Sequence, residues 1–158
     1  MGNLSINEDA LNDPNAYKLI AIEQEVDGKM QKIEHLAEIC SASEVTFKSG
    51  KKGLRIQFGI DSKGNRIYVN EQFNYDPNFL LRLSNFIKLL GLSTKGISEE
   101  AFIGRFIWVT IKHESYVSTT QVDAEGNAET VIDNKIDKFI RSATPEEVSP
   151  PSSGDTPF

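Results

Sequence analysis

The chain has 158 residues, of which 39% are hydrophobic and 25% charged, and its formal net charge is −6. This length and balance fit one globular domain, and no apolar run is long enough to span a membrane. Cys40 is the only cysteine. A single cysteine excludes a disulfide framework and a cysteine-based zinc site, and it indicates a reducing, cytoplasmic location.

The negative charge is concentrated at the two ends of the chain. Residues 1–27 carry a net −5 and residues 143–158 a net −3, which leaves +2 for residues 28–142. A mildly basic body between acidic ends fits a protein that binds single-stranded nucleic acid, although proteins with other functions share this pattern.

The N-terminal part of the chain gives the weakest structural signal. Residues 1–15 are polar and predict a flexible arm, and residues 17–25 fit either a strand or a short helix before a stop at Val26-Asp27-Gly28. The apolar positions of residues 30–40 have helical spacing. We interpret this stretch as a strand with a bulge because clear strands follow it.

A hairpin is predicted in the middle of the chain. Residues 53–60 alternate between apolar and polar side chains, which is typical of a half-buried strand. Residues 61–65 have the composition of a hairpin turn, and residues 66–73 alternate in the same way to form the partner strand.

A helix is predicted after this hairpin. Asp76 and Pro77 are typical of a helix start, and Gly91 is typical of the residue that ends a helix. The apolar residues between them recur every three or four positions, which predicts one buried face. The phenylalanines assigned to core packing on this basis are Phe79, Phe86 and Phe102.

The remaining elements complete a β-rich order. Residues 105–113 alternate strictly, and residues 116–122 and 129–140 fit a final hairpin. The predicted order of elements is three strands, a helix and two strands, which is the order of an OB-fold. We therefore expect a mostly β protein, a five-stranded barrel with one helix between strands three and four. The expected domains are a flexible arm (1–15), an OB-like single-strand-binding domain (16–142) and a disordered acidic partner-binding tail (143–158).

Single-strand binding needs aromatic faces beside positive charge. The more apolar face of residues 105–113 should be core, which turns Phe106 and Trp108 outward to stack on bases. Packing under the N-terminal segment or at a dimer interface is the alternative. The lysine- and glycine-rich residues 48–53 predict a loop whose lysines either contact phosphates or remain solvated. The candidate nucleic-acid-binding residues are Lys48, Lys51, Lys52, Arg55, Arg66, Tyr68, Phe106, Trp108 and Lys112.

The C-terminal tail has the composition of a disordered segment, with four of the six prolines, three acidic residues and no lysine or arginine. Its last residue, Phe158, combines an aromatic ring with a free carboxylate, which suits an apolar pocket beside a basic group on a partner. The ending resembles the acidic tip of bacterial single-stranded DNA-binding proteins, which recruits replication and repair enzymes. Asp155, Pro157 and Phe158 match that tip, whereas Thr156 stands where an aliphatic residue is usual.

The body of the chain resembles a family of small proteins from phage replication modules that are regarded as single-strand binders. The segments that carry this resemblance are 48–54, 83–86, 90–92, 104–114 and 134–136. The resemblance implies an OB-fold, single-stranded DNA as the ligand and, for a phage-encoded protein, the host cytoplasm as its location.

No catalytic constellation is recognisable in the sequence. His35 and His113 are isolated, which favours surface or hydrogen-bonded roles over a metal site. Asp133 and Asp137 are a possible Mg²⁺ pair of a nuclease, but the basic residues among them favour solvated charges.

We therefore predict a protein that is not an enzyme and needs no metal or cofactor. It would coat single-stranded DNA during phage replication or recombination and recruit replication or recombination enzymes through its tip. It would have no membrane partner, and a homo-oligomer remains open. The alternative is an OB-like adaptor that binds a replication enzyme and no DNA.

Overall fold

Alternating apolar and polar residues give the chain an antiparallel sheet as its dominant feature. The structure, a computed structural model, describes residues 18–122 and 124–148, with only the backbone given at 118–122 and 129. The strands are β1 (Glu23–Val26), β2 (Lys29–Lys32), β3 (His35–Thr46), β4 (Lys52–Ser62), β5 (Asn65–Asn74), β6 (Phe106–Val122) and β7 (Ala128–Ser142). The helices are α1 (Leu80–Leu89), a 3₁₀ turn (Glu99–Ala101) and α2 (Pro145–Val148).

The strands form two sheets. The larger one has five antiparallel strands in the order β5-β4-β3-β6-β7, and β1 and β2 form a separate hairpin. The expected mostly β fold with few helices is therefore confirmed. In the described ranges, none of the helices combines the length and the apolar character that crossing a membrane requires.

The two edge strands of the larger sheet, β5 and β7, approach each other because the sheet is curved. The ring centroids of Phe73 on β5 and Phe139 on β7 lie 6.0 Å apart. Among the described residues, β5 and β7 are joined by side chains and not by backbone pairing. The sheet is thus open in its hydrogen bonding, and the closed barrel expected from the sequence is not shown.

The inner face of the sheet holds the core that the alternation predicts. Ile56 and Phe58 on β4, and Ile107, Val109 and Ile111 on β6, are fully buried. Helix α1 adds Leu83, Phe86 and Ile87 to this core. The buried faces predicted for residues 53–60 and 105–113 are therefore confirmed.

Helix α1 begins later than the sequence predicts. Its first residue is Leu80 and its N-cap is Phe79, so the start predicted at Asp76 and Pro77 is wrong. The Asp76 Oδ1 atom accepts a hydrogen bond from the Asn78 N–H at 3.0 Å, which stabilises a turn before the helix. The predicted end is confirmed, because Gly91 has a φ of 76° and its N–H donates to the Lys88 carbonyl.

The segment that precedes β3 is extended, as interpreted from the sequence. Residues 30–40 belong to two strands, the end of β2 and the start of β3, and not to one as interpreted. The predicted bulge is present, because the pairing of β3 with β4 shifts register between Ile39 and Ser41. The β1–β2 hairpin was missed. Its signal is Asp27-Gly28, where φ values of 53° and 80° form the kind of two-residue turn that this dipeptide favours.

The residues before β1 are held against the larger sheet by hydrogen bonds between their backbone groups and side chains of that sheet. The Asn134 amide accepts a hydrogen bond from the Ile20 N–H at 2.8 Å and donates one to the Lys18 carbonyl at 2.8 Å. The His113 and His35 rings lie 2.8 and 2.7 Å from the carbonyl oxygens of Ile20 and Ala21. Both histidines are therefore hydrogen-bonded, as the sequence predicts.

Replacing Asn134 by alanine is expected to lower the free energy of unfolding by about 2 kcal/mol. The side chain is buried, and its loss leaves the Ile20 N–H and the Lys18 carbonyl without their partner. Urea denaturation of Asn134→Ala and of the exposed control Asn70→Ala checks this. Equal unfolding midpoints for the two variants would show that the amide is not a structural anchor.

Candidate nucleic-acid interface

The outer face of strands β4 and β5 is polar and carries one exposed aromatic ring. Arg55 lies opposite Gln72, Gln57 opposite Asn70, and Gly59 opposite Tyr68. We call Arg55, Gln57, Tyr68, Asn70 and Gln72 the β4–β5 face. Because Gly59 has no side chain, the Tyr68 ring has no neighbour directly across the strand pair and is 54% exposed.

A cleft of about 660 Å³ borders the β4–β5 face at the edge where β5 approaches β7. Its basic side chains come from β4, α1, β6 and β7, and they are Arg55, Arg82, Lys112 and Lys135. Its acidic side chains are Glu71, Glu114 and Asp137. We call this the cationic cleft. The strand pairing places Lys112 opposite Lys135, so two lysines of neighbouring strands line the cleft.

Glu71 and Arg82 fix the floor of the cationic cleft. Burial raises the pKa of Glu71, while the charge of Arg82 and the backbone N–H of Ile136 act in the opposite direction. Arg82 Nη2 lies 3.2 Å from Glu71 Oε1. The Arg82 guanidinium also lies over the rings of Phe73 and Phe139, at 4.9 and 5.2 Å from their centroids. Arg82 therefore ties the edge of β5 to that of β7.

The structure brings together three of the predicted site residues. Arg55 and Tyr68 lie on the β4–β5 face, and Arg55 and Lys112 line the cationic cleft. Arg66 lies on the same side of β5 but is occupied, because its guanidinium pairs with Glu38 and with Asp61. A Cβ atom on Gly59 would come within 2.5 Å of Arg66 Nε, so a larger residue at position 59 would displace the Arg66 guanidinium.

The three predicted loop lysines have different surroundings. Lys51 Nζ lies 2.8 Å from Asp76 Oδ2, and Lys52 Nζ lies 3.6 Å from Glu44 Oε1. Lys48 is exposed and has no ion pair among the described residues. Exposed pairs of this kind contribute little to stability, so a phosphate can compete for these ammonium groups. Phosphate contact by the loop stays a prediction.

Phe106 and Trp108 are less open than the sequence predicts. Both face away from the core, but both are half-buried. The Arg141 guanidinium lies 5.3 Å from the centroid of the Trp108 ring, and Phe106 lines a second cavity together with Leu90 and Val148. Their predicted stacking on bases remains untested, and at Trp108 it requires Arg141 to move aside.

Arg141, which lies over Trp108, is held in place by residues assigned to the tail. Thr144 and Glu147 form a capping box, since the Glu147 carboxylate accepts from the Thr144 N–H at 2.8 Å and the Thr144 hydroxyl accepts from the Glu147 N–H at 3.3 Å. Residues 145–148, which the sequence analysis places in the tail, therefore form the short helix α2. The sequence signal was Thr144-Pro145-Glu146-Glu147, with proline in the first turn. The predicted arm and the terminal tip lie outside the described residues.

Glu147 is held by a bidentate pair with Arg141, at 2.9 and 2.8 Å. Arg141 and the Thr144 N–H hold the pKa of Glu147 well below its ordinary value of 4.5. The Trp108 indole contributes less to this lowering of the pKa than Arg141 and the Thr144 N–H do. A lowered pKa means that the pair is complete above pH 4.5 and is lost only in stronger acid.

The emission of Trp108, the single tryptophan, is therefore expected to stay constant between pH 7 and about pH 4.5. In Glu147→Gln the Arg141 pair is weakened, so the emission maximum is expected to differ from wild type already at pH 7. Fluorescence spectra of the two proteins across this range provide the measurement, and Glu146→Gln is the control. Identical spectra would place α2 away from Trp108 in solution.

Phe79 is a candidate contact that sequence reasoning missed. It is 59% exposed and, with the 72% exposed Leu81, lines a shallow cavity that also contains Gln72 and Arg82. The prediction that Phe79 belongs to the core is wrong. The helical spacing of Phe79, Leu83 and Phe86 gave that prediction, and only the later start of α1 removes Phe79 from the buried face.

Within residues 18–122 and 124–148, no group of three His, Cys, Asp or Glu side chains is placed to hold a metal ion. The arrangement offers hydrogen-bond donors, positive charge and exposed rings, which suit the binding of a polyanion with aromatic bases. The sequence matches no protein-family model and no curated protein.

Proposed function

We propose that this protein binds single-stranded DNA and coats exposed strands during phage replication or recombination. The observation that carries the proposal is the exposed Tyr68 ring on the polar β4–β5 face, which borders the cationic cleft. Binding to single strands without a strong sequence requirement depends on this combination of an aromatic platform and a positively charged groove.

We also propose that the five-stranded sheet is an OB-like barrel whose last seam, between β5 and β7, is closed by side chains. The sheet order, the approach of Phe73 to Phe139 and the packing of α1 on this cluster support it. In OB-folds the second and third strands and the loop between the first two bind oligonucleotides. Here those positions are β4, β5 and the loop that carries Lys48 and Lys51.

In the proposed complex, bases and phosphates occupy different parts of the surface. A base stacks on Tyr68, and the uncharged amides of Gln57 and Asn70 lie beside it. Lys112 and Lys135 neutralise phosphates along the cleft. Neutral groups under the bases and cations under the backbone match the two chemical faces of a single strand.

Partner recruitment through Asp155, Pro157 and Phe158 is part of the same proposal. It rests on the chemistry of the sequence alone, because an aromatic residue with a free carboxylate suits an apolar pocket beside a basic group. In this proposal the protein is not an enzyme, and it acts in the cytoplasm.

A protein-binding adaptor is the second candidate. The acidic side chains in the cleft and the ion pairs at Lys51, Lys52 and Lys112 favour it, because they reduce the positive potential available to DNA. An adaptor would show no oligonucleotide binding even at low salt, which separates the two candidates.

Tyr68→Ala is expected to weaken the binding of a labelled oligo-dT by about 1–3 kcal/mol, the usual contribution of one base stacked on an aromatic ring. Tyr116→Ala is the matched control, because Tyr116 is 49% exposed on β6 but lies outside the β4–β5 face and the cationic cleft. Fluorescence anisotropy at two salt concentrations gives both affinities. No binding by wild type would contradict the proposed function, and equal losses in both variants would contradict the assigned face.

A further inference from the structure

Arg55 and Gln72 form a rigid donor group at the border of the β4–β5 face and the cationic cleft. They lie directly opposite each other on β4 and β5, and both are exposed. A guanidinium only donates hydrogen bonds, so the part of the Gln72 amide that faces it must be the oxygen. In that orientation the oxygen accepts from Arg55 Nε at 3.2 Å and from Arg55 Nη2 at 2.7 Å.

This contact leaves the pair with donors but few acceptors for a ligand. The Gln72 oxygen is used by Arg55 Nε and Nη2, and the remaining N–H groups of the Arg55 guanidinium can donate to an incoming molecule. Two contacts to one oxygen also hold the guanidinium plane in a fixed orientation. A planar set of donors in a fixed orientation selects a ligand edge that carries two acceptors side by side.

We propose that Arg55, oriented by Gln72, reads guanine in the bound single strand. This inference rests on the proposed function. Guanine presents two adjacent acceptors, N7 and O6, to which an arginine bonds with both arms, whereas adenine replaces O6 by an amino donor and thymine has no N7. The interface therefore has a base preference in addition to its general affinity for single strands.

A phosphate also offers paired acceptors, and Arg55 also lines the cationic cleft, but its neighbours on the β4–β5 face favour a base. Its neighbours on the face are the uncharged Gln57, Asn70 and Tyr68, which suit contact with bases. Tyr68 is four residues from Gln72 on the same side of β5, a distance of about 13 Å along the strand. A strand whose base stacks on Tyr68 can therefore place another base at Arg55.

The test compares short labelled oligo-dT strands that carry one central dG, one 7-deaza-dG, one dA or no substitution. A single guanine avoids four-stranded structures, and 7-deazaguanine lacks only the N7 acceptor. Wild type is expected to bind the dG strand about fivefold or more tightly than the other three, as one bidentate base contact allows. Arg55→Lys retains the charge but not the planar fork, so it is expected to lose the preference and to bind the dG strand no more tightly than the other three. Arg66→Lys is the control and is expected to keep it.

The outcomes separate this inference from the proposed function. If oligo-dT binds but the dG strand binds no better, guanine reading is wrong and the proposed function stands. If Arg55→Lys weakens all four strands equally, Arg55 contacts phosphate and the inference is overturned. A preference that survives in Arg55→Lys, or with 7-deazaguanine, overturns it as well. If no strand binds at low salt, both proposals fail.

Discussion

Replacing Phe86 by alanine is expected to lower the free energy of unfolding by about 3–5 kcal/mol, the largest effect of any single core change in this protein. The Phe86 ring is fully buried and lies at the centre of an aromatic cluster. Its centroid is 4.7 Å from that of Phe139, 5.1 Å from Phe73, 6.0 Å from Phe58 and 6.1 Å from Phe102. Removing the ring leaves a cavity between helix α1 and the sheet, which these elements cannot fill completely by moving together.

The same substitution should also affect the cationic cleft, because Phe86 packs against the two rings on which Arg82 lies. Urea denaturation measures the stability change. Phe79→Ala is the matched control, since Phe79 immediately precedes the same helix and is largely exposed, so its effect should stay within about 0.5 kcal/mol. Similar losses for the two variants would mean that α1 does not pack as described.

The double substitution Lys112→Gln and Lys135→Gln is expected to reduce the salt dependence of oligo-dT binding. Each lysine that neutralises a phosphate of a single strand contributes about 0.7 to the slope of log K against log salt, so the slope should fall by about 1.4. Between 1 M and 0.05 M salt, a difference of that size corresponds to roughly 60-fold in affinity. Both side chains line the cleft on paired strands, and their loss leaves the core untouched.

The control for this experiment is the double variant Lys29→Gln and Lys95→Gln. It changes the net charge by the same amount at two exposed lysines outside the cationic cleft. Titrations at four or more salt concentrations give the slopes of all three proteins. If both variants reduce the slope equally, the effect comes from overall charge, and the cleft is not the path of the phosphates.

Strands β4, β5 and β6 were predictable because each depends on local alternation. Ile56 and Phe58 on β4 alternate with Arg55 and Gln57, and that pattern alone assigns the buried face and places Arg55 outside. The β1–β2 hairpin was missed although Asp27-Gly28 is a strong turn signal, since the strands that flank it are short and mostly exposed.

The cationic cleft could not be predicted from the sequence. Arg82 and Lys135 are far apart in the chain and belong to a helix and a strand that meet only when β5 approaches β7. The lower exposure of Trp108 than the sequence predicts has a similar origin. The alternating pattern correctly predicted that the Trp108 side chain faces away from the core. That Arg141 and Glu147 partly cover this side chain depends on the path of the chain after β7.

The junction of β5 and β7 depends on Phe73, Phe139, Glu71 and Arg82, and not on a ladder of backbone hydrogen bonds. A ladder has one fixed spacing, because every residue type except proline supplies the same N–H and C=O groups. A junction made of side chains has a width that point mutations can set. Homologous proteins can therefore differ in the width of the cationic cleft, and so in the ligands that it binds, while all five strands keep their register.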